Sequence, residues 1–249
     1  MDIEYDPRLY GDRWAEKYDE WHAGMMDDEG AVAVLGELAA EFDGSIVEFG
    51  VGTGRLALPL AGRGLDVVGV DTSEEMLAKL RAKPGADRVT TVIGDMTTVR
   101  LDREFAVALV AFNSIFVLPT QEAQVRLFRN AAAHLRPGGR FVLETVVARV
   151  AGPEDQPGQL RVARMEDDRL VLSAGLLDPV SQYFNGAWVV IEPGGTTFYP
   201  VRGRNCTHHE MDLMAELAGL EREHRWADWK REPFGARSSM HVSIYRKPV

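Results

Sequence analysis

Apolar and polar positions change their rhythm along this chain. Between residues 44 and 148, short apolar runs alternate with segments of helical period. "SIVEFG" reads as a strand, "RLALPLAGRG" as a short helix and "DVVGVD" as a second strand. "SEEMLAKLRAK" reads as a helix with Ser73 as its N-cap and Pro84-Gly85 as its stop. "RVTTVIGD" and "EFAVALVAF" are two further strands. The second has an unbroken apolar run, which predicts burial on both faces. "TQEAQVRLFRNAAAHL" carries an amphipathic stripe, the turn "PGG" closes it, and "RFVLETVV" is the fifth strand. Strands alternating with helices predict an α/β fold, a parallel sheet with helices on both faces.

The flanks follow other patterns. Leu9 to His22 place Leu9, Trp14, Trp21 and the tyrosines at roughly helical spacing, and Asp27 or Asp28 caps a second helix through "AVAVLGELAAEF". The α/β rhythm stops near Val150. "AGPEDQPG" reads as a loop, followed by about four antiparallel strands with turns at Glu166-Asp167-Asp168, Asn185-Gly186 and Pro193-Gly194-Gly195. "THHEMDLMAELAGL" is a helix with a Thr207–Glu210 capping box, and "EREHRWADW" and "SSMHVSIYRK" form a final antiparallel pair. The expected organisation is one domain over 1–249. It comprises a helical lid at 1–43, a ligand-binding core at 44–148, a β-meander insertion at 150–205 and a helix with two strands at 206–249 that complete the core.

Composition narrows the partners. The 249 residues are 45% hydrophobic with a formal net charge of -10, ordinary for a globular chain. Phosphate neutralisation needs clustered Lys and Arg, and none occurs, so no nucleic-acid partner is expected. Cys206 stands alone, which excludes an intrachain disulfide and a cysteine-rich zinc site. The longest wholly apolar run, Phe105 to Phe112, is far too short for a membrane span, and the acidic "MDIEYDPRLY" is no signal peptide. The expected location is the cytoplasm.

The chemistry concentrates in "IVEFGVGTGR", Ile46 to Arg55. A glycine-rich turn between strand and helix lets a ligand approach the bare backbone and the unpaired N–H groups of the helix start. A phosphate-binding loop of the G-x-x-x-x-G-K-[ST] kind needs Lys and Ser or Thr after its last glycine, but Arg55 and Leu56 follow Gly54. A dinucleotide turn needs glycine at the sixth position from Gly50, where Arg55 stands. The pattern is G-x-G-x-G. Asp71 follows 21 positions after Gly50 at the end of the next strand, Asp95-Met96 follow the third, and "LRPGGRFVLE" leads into the fifth.

These signposts, in order over residues 44 to 147, resemble the class I S-adenosylmethionine-dependent methyltransferases, and among them bacterial enzymes that tailor small natural products. The resemblance implies a Rossmann-like seven-stranded sheet with its last strand antiparallel, the meander being an addition. It implies that Glu48, Gly50, Gly52 and Gly54 face the amino-acid part of S-adenosylmethionine, that Asp71 with Thr72 meets the ribose, and that Asp95 and Met96 meet the adenine. Tyr18, in a "YD" pair, matches a lid tyrosine of relatives, and Arg13 or Arg55 would meet the cofactor carboxylate.

Such an enzyme acts by in-line displacement at an activated methyl, so its task is alignment and exclusion of water. An amine nucleophile need only arrive unprotonated, whereas a hydroxyl needs a base or a metal. Candidate catalytic residues are Asn113 after the fourth strand, Glu144 at the end of the fifth and His209 at the start of the last long helix. Glu144 is either a base or a satisfied buried acid, and His208-His209 either an exposed pair or substrate-facing. Some amino-sugar methyltransferases carry a histidine in the stretch matching Phe112 to Thr120, and this chain has none there. Asn113 without a neighbouring Asp argues against a metal. Tyr183, Phe184, Trp188, Phe198 and Tyr199 either wall a small-molecule acceptor or form a homodimer face. The alternatives are a nucleotide-dependent oxidoreductase on a similar sheet, or a methyltransferase homologue that binds cofactor without turnover.

Overall fold

The computed structural model describes residues 6–22, 24, 26–148 and 158–249. The loop expected at 151–158 lies outside them except for Gly158. Leu9–Trp14 (α1) and Tyr18–His22 (α2) replace the single helix suggested by the aromatic spacing. Asp28–Ala40 (α3) starts at the predicted cap, with Asp27 Oδ1 accepting the Gly30 N–H at 3.0 Å.

The core then runs Ser45–Phe49 (β1), Ala57–Gly62 (α4), Asp66–Asp71 (β2), Glu74–Arg81 (α5), Val89–Ile93 (β3), Phe105–Val110 (β4), Gln121–His134 (α6) and Leu135–Val146 (β5). Ser73 and Thr120 cap α5 and α6 as expected. Arg136 to Gly139 do not form a free turn after α6. They belong to β5, where the Gly138 N–H donates to the Lys247 carbonyl at 2.9 Å and the Lys247 N–H to the Gly139 carbonyl at 2.9 Å. Gly158–Met165 (β6), Leu170–Leu177 (β7), Tyr183–Glu192 (β8) and Gly195–Arg204 (β9) follow. His208–Leu217 (α7), Glu221–Trp226 (β10) and Met240–Arg246 (β11) end the chain.

Seven strands make one sheet in the order β10-β11-β5-β4-β1-β2-β3. Strands β3, β2, β1, β4 and β5 are parallel, and β11 runs antiparallel to both neighbours. Every residue of β1 and β4 is buried, because helices cover both faces. One core packs α6 and α7 on the sheet through Leu127, Phe128, Met211 and Met214; the other packs α3, α4 and α5 through Leu35, Leu60 and Leu77. The order in which strands are added reverses between β1 and β4, and the carboxyl ends of parallel strands at such a switch leave a crevice for a ligand.

The second sheet is the meander β6-β7-β8-β9, antiparallel throughout. Asn185-Gly186, expected as a turn, sits inside β8. Gly186 there faces Gly175, so the two strands approach closely without side chains, and Asn185 Oδ1 accepts the Arg202 Nε–H at 3.0 Å. The turn falls earlier. Asp178 folds it by accepting the Val180 N–H at 3.0 Å and the Ser181 hydroxyl at 2.5 Å, the side-chain mimicry of a backbone turn.

One seam joins the meander to the core. At Gly203 in β9, a methyl group would overlap the carbonyl oxygen of Phe116, in the turn after β4. The next residue, Arg204, is buried and donates to Gln124 Oε1 at 2.7 Å, to Glu210 Oε1 at 2.8 Å and to Gln182. Gln124 answers by donating to the Arg204 carbonyl at 2.9 Å. Because a Cβ has no space at the seam, Gly203→Ala is expected to cost about 1–3 kcal/mol through overpacking. Gly194→Ala, at an open turn, should stay within about 0.5 kcal/mol of wild type. Urea denaturation of both variants checks the difference.

Candidate active site

The glycine loop closes β1 at the switch point. Gly50, Gly52 and Gly54 have φ of 77°, 53° and 83°, in the left-handed region that glycine occupies without strain. The Gly52 N–H donates to Asp71 Oδ2 at 2.8 Å, and Asp71 Oδ1 takes the Ser73 N–H at 2.9 Å. The carboxylate at the end of β2 thus shapes the loop at the end of β1. Burial raises the Asp71 pKa, against the lowering effect of these N–H donors.

A cavity of about 560 Å³ opens from this loop. Gly50, Gly52, Asp71, Thr72, Asp95, Met96, Asn113 and Tyr18 line it. Asp95 turns its own loop, with Oδ1 accepting the Thr97 N–H at 2.7 Å. Glu48, Gly54 and Arg55 do not line the cavity. Gly54 instead packs against Leu80, where a Cβ would come within 2.8 Å.

Glu48 lies behind the loop, 3% exposed, and among the described residues its Oε2 has no hydrogen-bond partner. Burial pushes its pKa up to about 8; nearby Arg55 opposes this, while Glu144 and Asp71 add to it. A buried acid behind a bare glycine loop, close to the cavity carboxylate Asp71, fits a ligand that carries an ammonium beside an adenosine.

Two candidates from sequence bind each other instead of the cavity. Arg55 Nη2 meets Glu144 Oε2 at 3.0 Å, and Arg55 Nη1 pairs with Asp28. Glu144 Oε2 also accepts the Phe112 N–H at 3.1 Å, and Oε1 accepts the Trp229 Nε1–H at 2.6 Å. Of the two readings of Glu144, the structure supports the satisfied buried acid. Its oxygens are all engaged, so it is not placed as a base, and Arg55 is not free for a cofactor carboxylate. His209 is also outside the cavity. Its ring lies 4.0 Å from that of His208, at the start of α7, and neither histidine lines the cavity.

The turn after β4 forms one wall. Phe112 and Asn113 take φ of 44° and 66°, a costly conformation for two successive non-glycine residues. Hydrogen bonds hold it. The Asn113 N–H donates to the Glu144 carbonyl at 3.1 Å, and Asn113 Oδ1 accepts the Val146 N–H at 2.7 Å and the Thr145 hydroxyl at 3.0 Å. Asn113 therefore lines the cavity with its amide oxygen already used.

The roof comes from both ends of the insertion order. Trp14 stacks near Tyr10 and Tyr199, Trp21 meets Trp188 and Tyr199, and Trp14 Nε1–H donates to the Pro200 carbonyl at 3.3 Å. Asp19 ties α2 to the glycine loop by accepting the Thr53 hydroxyl at 2.6 Å and pairing with Lys83 at 2.6 Å. Phe184, Trp188 and Val201 of the meander face the cavity, whereas Phe198 is exposed. His22 also lines the cavity and was not among the candidates. The available signal was its place one helical turn after Tyr18, on the same stripe as the expected lid tyrosine.

The sheet order and the crevice define a doubly wound α/β protein with a ligand cavity at its switch point. Residues 46–139 match the methyltransferase domain family. The CcbJ methyltransferase from Streptomyces caelestis has the same architecture, with a TM-score of 0.90 and 37% identity over 98% of this chain and 100% of that one. The cypemycin N-terminal methyltransferase from a Streptomyces species is 29% identical over 94% of this chain and 95% of its own length. An N,N-dimethyltransferase of Streptomyces venezuelae acting on dTDP-3-amino-3,4,6-trideoxy-α-D-glucopyranose is 31% identical over 52% of this chain and 56% of its own. The chain belongs to the S-adenosylmethionine-dependent methyltransferases. It is an enzyme with S-adenosylmethionine as its cofactor, which removes the oxidoreductase and non-catalytic alternatives.

Two outcomes follow from the buried charges. Between its ordinary value of 4.5 and about 8, Glu48 holds a proton in the fold that the unfolded chain has lost, so its contribution makes stability fall as pH rises through that window. Glu48→Gln should remove this slope and exceed wild-type stability at pH 8 by a few kcal/mol, as measured by urea unfolding across pH. Glu144→Gln should cost about 3 kcal/mol by leaving Arg55 underpaired, read by urea unfolding, and should weaken S-adenosylhomocysteine binding by releasing the glycine loop and the Phe112 turn, read by calorimetry.

Proposed function

We propose that this enzyme methylates a nitrogen of a small-molecule acceptor, without a metal, in the cavity between the glycine loop and the aromatic roof. The observation that carries this reading is one continuous cavity of about 560 Å³, which runs from Gly50 and Asp71 to Phe184 and Trp188. That volume lies within the range of small-ligand pockets, and its two ends differ in chemistry. The carboxylate end suits a cationic nucleoside and the aromatic end a compact organic acceptor.

In this reading Asp71 and Thr72 take the ribose, and Asp95 and Met96 border the adenine. Gly50 and Gly52 let the amino-acid part approach, and the ligand's ammonium would draw Glu48, whose pKa burial raises to about 8, toward its charged form behind the loop. S-adenosylmethionine brings a methyl already activated by its sulfonium. The chain's own contribution is to seal the site with Trp14, Trp21, Trp188 and Tyr199 and to align the acceptor against the wall formed by Phe112 to Phe116. An amine is a sufficient nucleophile once neutral, so this chemistry calls for no metal. Nitrogen is favoured over oxygen because both the cypemycin and the amino-sugar relatives are described as acting on an amine.

The test is mass spectrometry with methyl-deuterated S-adenosylmethionine and a panel of free peptides, amino sugars and phenols of matched size. Transfer to amines supports the reading, and transfer confined to phenols overturns the choice of nitrogen. Asp71→Ala is expected to weaken S-adenosylhomocysteine binding at least ten-fold by calorimetry. Unchanged affinity would remove the ribose assignment.

A further inference from the structure

We propose that His22 is the proton acceptor of this site, taking a proton from the methyl acceptor through its Nε2; this rests on the reading of the cavity as an amine-methylating site. The ring lies between Tyr18, Phe112 and Trp14, with centroids 4.3, 5.1 and 5.8 Å away. Its Nδ1 is 2.8 Å from the Tyr18 carbonyl oxygen. A carbonyl only accepts, so Nδ1 carries the hydrogen in the neutral ring and Nε2 keeps its lone pair. The hydrogen bond fixes both the tautomer and the orientation of the ring.

The other titratable groups lining the cavity either sit at its glycine-loop end or carry no available base. Asp71 accepts two loop N–H bonds and Asp95 one. Burial raises the pKa of Tyr10 and Tyr18, which keeps both as neutral phenols, and Arg164 carries no usable lone pair. Burial, with Arg55 nearby, lowers the His22 pKa, while the hydrogen bond to Tyr18 and the charge of Asp19 oppose the shift. These two charged residues face the ring from the glycine loop and from its own helix. The meander side of the roof offers aromatic rings, with Arg164 lining the same cavity and Arg169 over the Trp21 ring, both cations that further disfavour a charged imidazole. At neutral pH the imidazole is therefore free to accept.

The step balances simply. An acceptor that enters as an ammonium has an N–H bond to break. The proton passes to Nε2, and the electron pair stays on nitrogen as the lone pair that attacks the methyl. The imidazolium then releases its proton to water. The same apolar walls that disfavour a charged imidazole disfavour an ammonium, which favours loss of its proton.

His22→Asn keeps a side-chain N–H to reach the Tyr18 carbonyl but has no basic nitrogen. In ¹⁵N-histidine NMR of the wild-type protein, the His22 ring should show protonated Nδ1 and bare Nε2 at pH 7. With the best amine of the deuterated-cofactor panel, His22→Asn should lower kcat at least 30-fold at pH 7, within the range of general-base effects of about 10²–10⁴ or just below it. KM and S-adenosylhomocysteine affinity should change less than three-fold, and the fall of the wild-type kcat on the acid side should disappear. A protonated Nε2 at pH 7, or a kcat within three-fold of wild type, overturns the proposal. If no panel amine is methylated, the amine reading fails by itself, and the NMR tautomer still decides whether His22 offers a base.

Discussion

A single buried carboxylate holds the working end of this sheet together. Glu144, at the end of β5, receives Arg55 from the glycine loop, the Phe112 N–H from the turn after β4 and the Trp229 indole from the segment before β11. A buried charge is costly unless it is paired and hydrogen-bonded, and here every partner comes from a different loop. Satisfying that one group therefore fixes the relative positions of the two loops that flank the switch point. It also sustains the left-handed pair Phe112-Asn113, whose conformation would not persist without the bonds to the end of β5.

The cavity is then completed from outside the sheet. The N-terminal helices are pinned to the glycine loop through Asp19 and to the start of α5 through Asp12, whose Oδ1 accepts the Ser73 hydroxyl at 2.6 Å. The meander is pinned through the seam at Gly203 and Arg204. Between these anchors the contacts are aromatic, Trp14 and Trp21 against Trp188 and Tyr199. A roof of large rings fixed at its margins can exclude water from a methyl-transfer site and can also move as a unit to admit ligands.

Much of the architecture was legible in the sequence because it rests on local signals. The alternation of strands and helices, the caps at Ser73 and Thr120, the Thr207–Glu210 box and the wholly buried β4 all follow from residues a few positions apart. The misread positions are those where a distant strand overrides a local preference. Asn185-Gly186 has the chemistry of a turn, but Gly175 opposite makes it the middle of a strand. Pro137-Gly138-Gly139 reads as a stop, yet the chain continues as β5 because Lys247 supplies its hydrogen bonds.

The same division runs through the site. The order of Gly50, Gly52, Gly54, Asp71 and Asp95 along the chain carried the resemblance to S-adenosylmethionine-dependent methyltransferases, and the family match bears that cofactor out; each of these signals is local to one strand end. Which acids and bases are available was decided only by tertiary structure. Glu144 and Arg55 are 89 positions apart, and nothing local shows that they neutralise each other. His22 looks like one more member of an aromatic stripe until the folded chain places it against Phe112 in the cavity wall. The reactivity of an ionisable group depends on its burial and its partners, and both are set by residues far away in the chain.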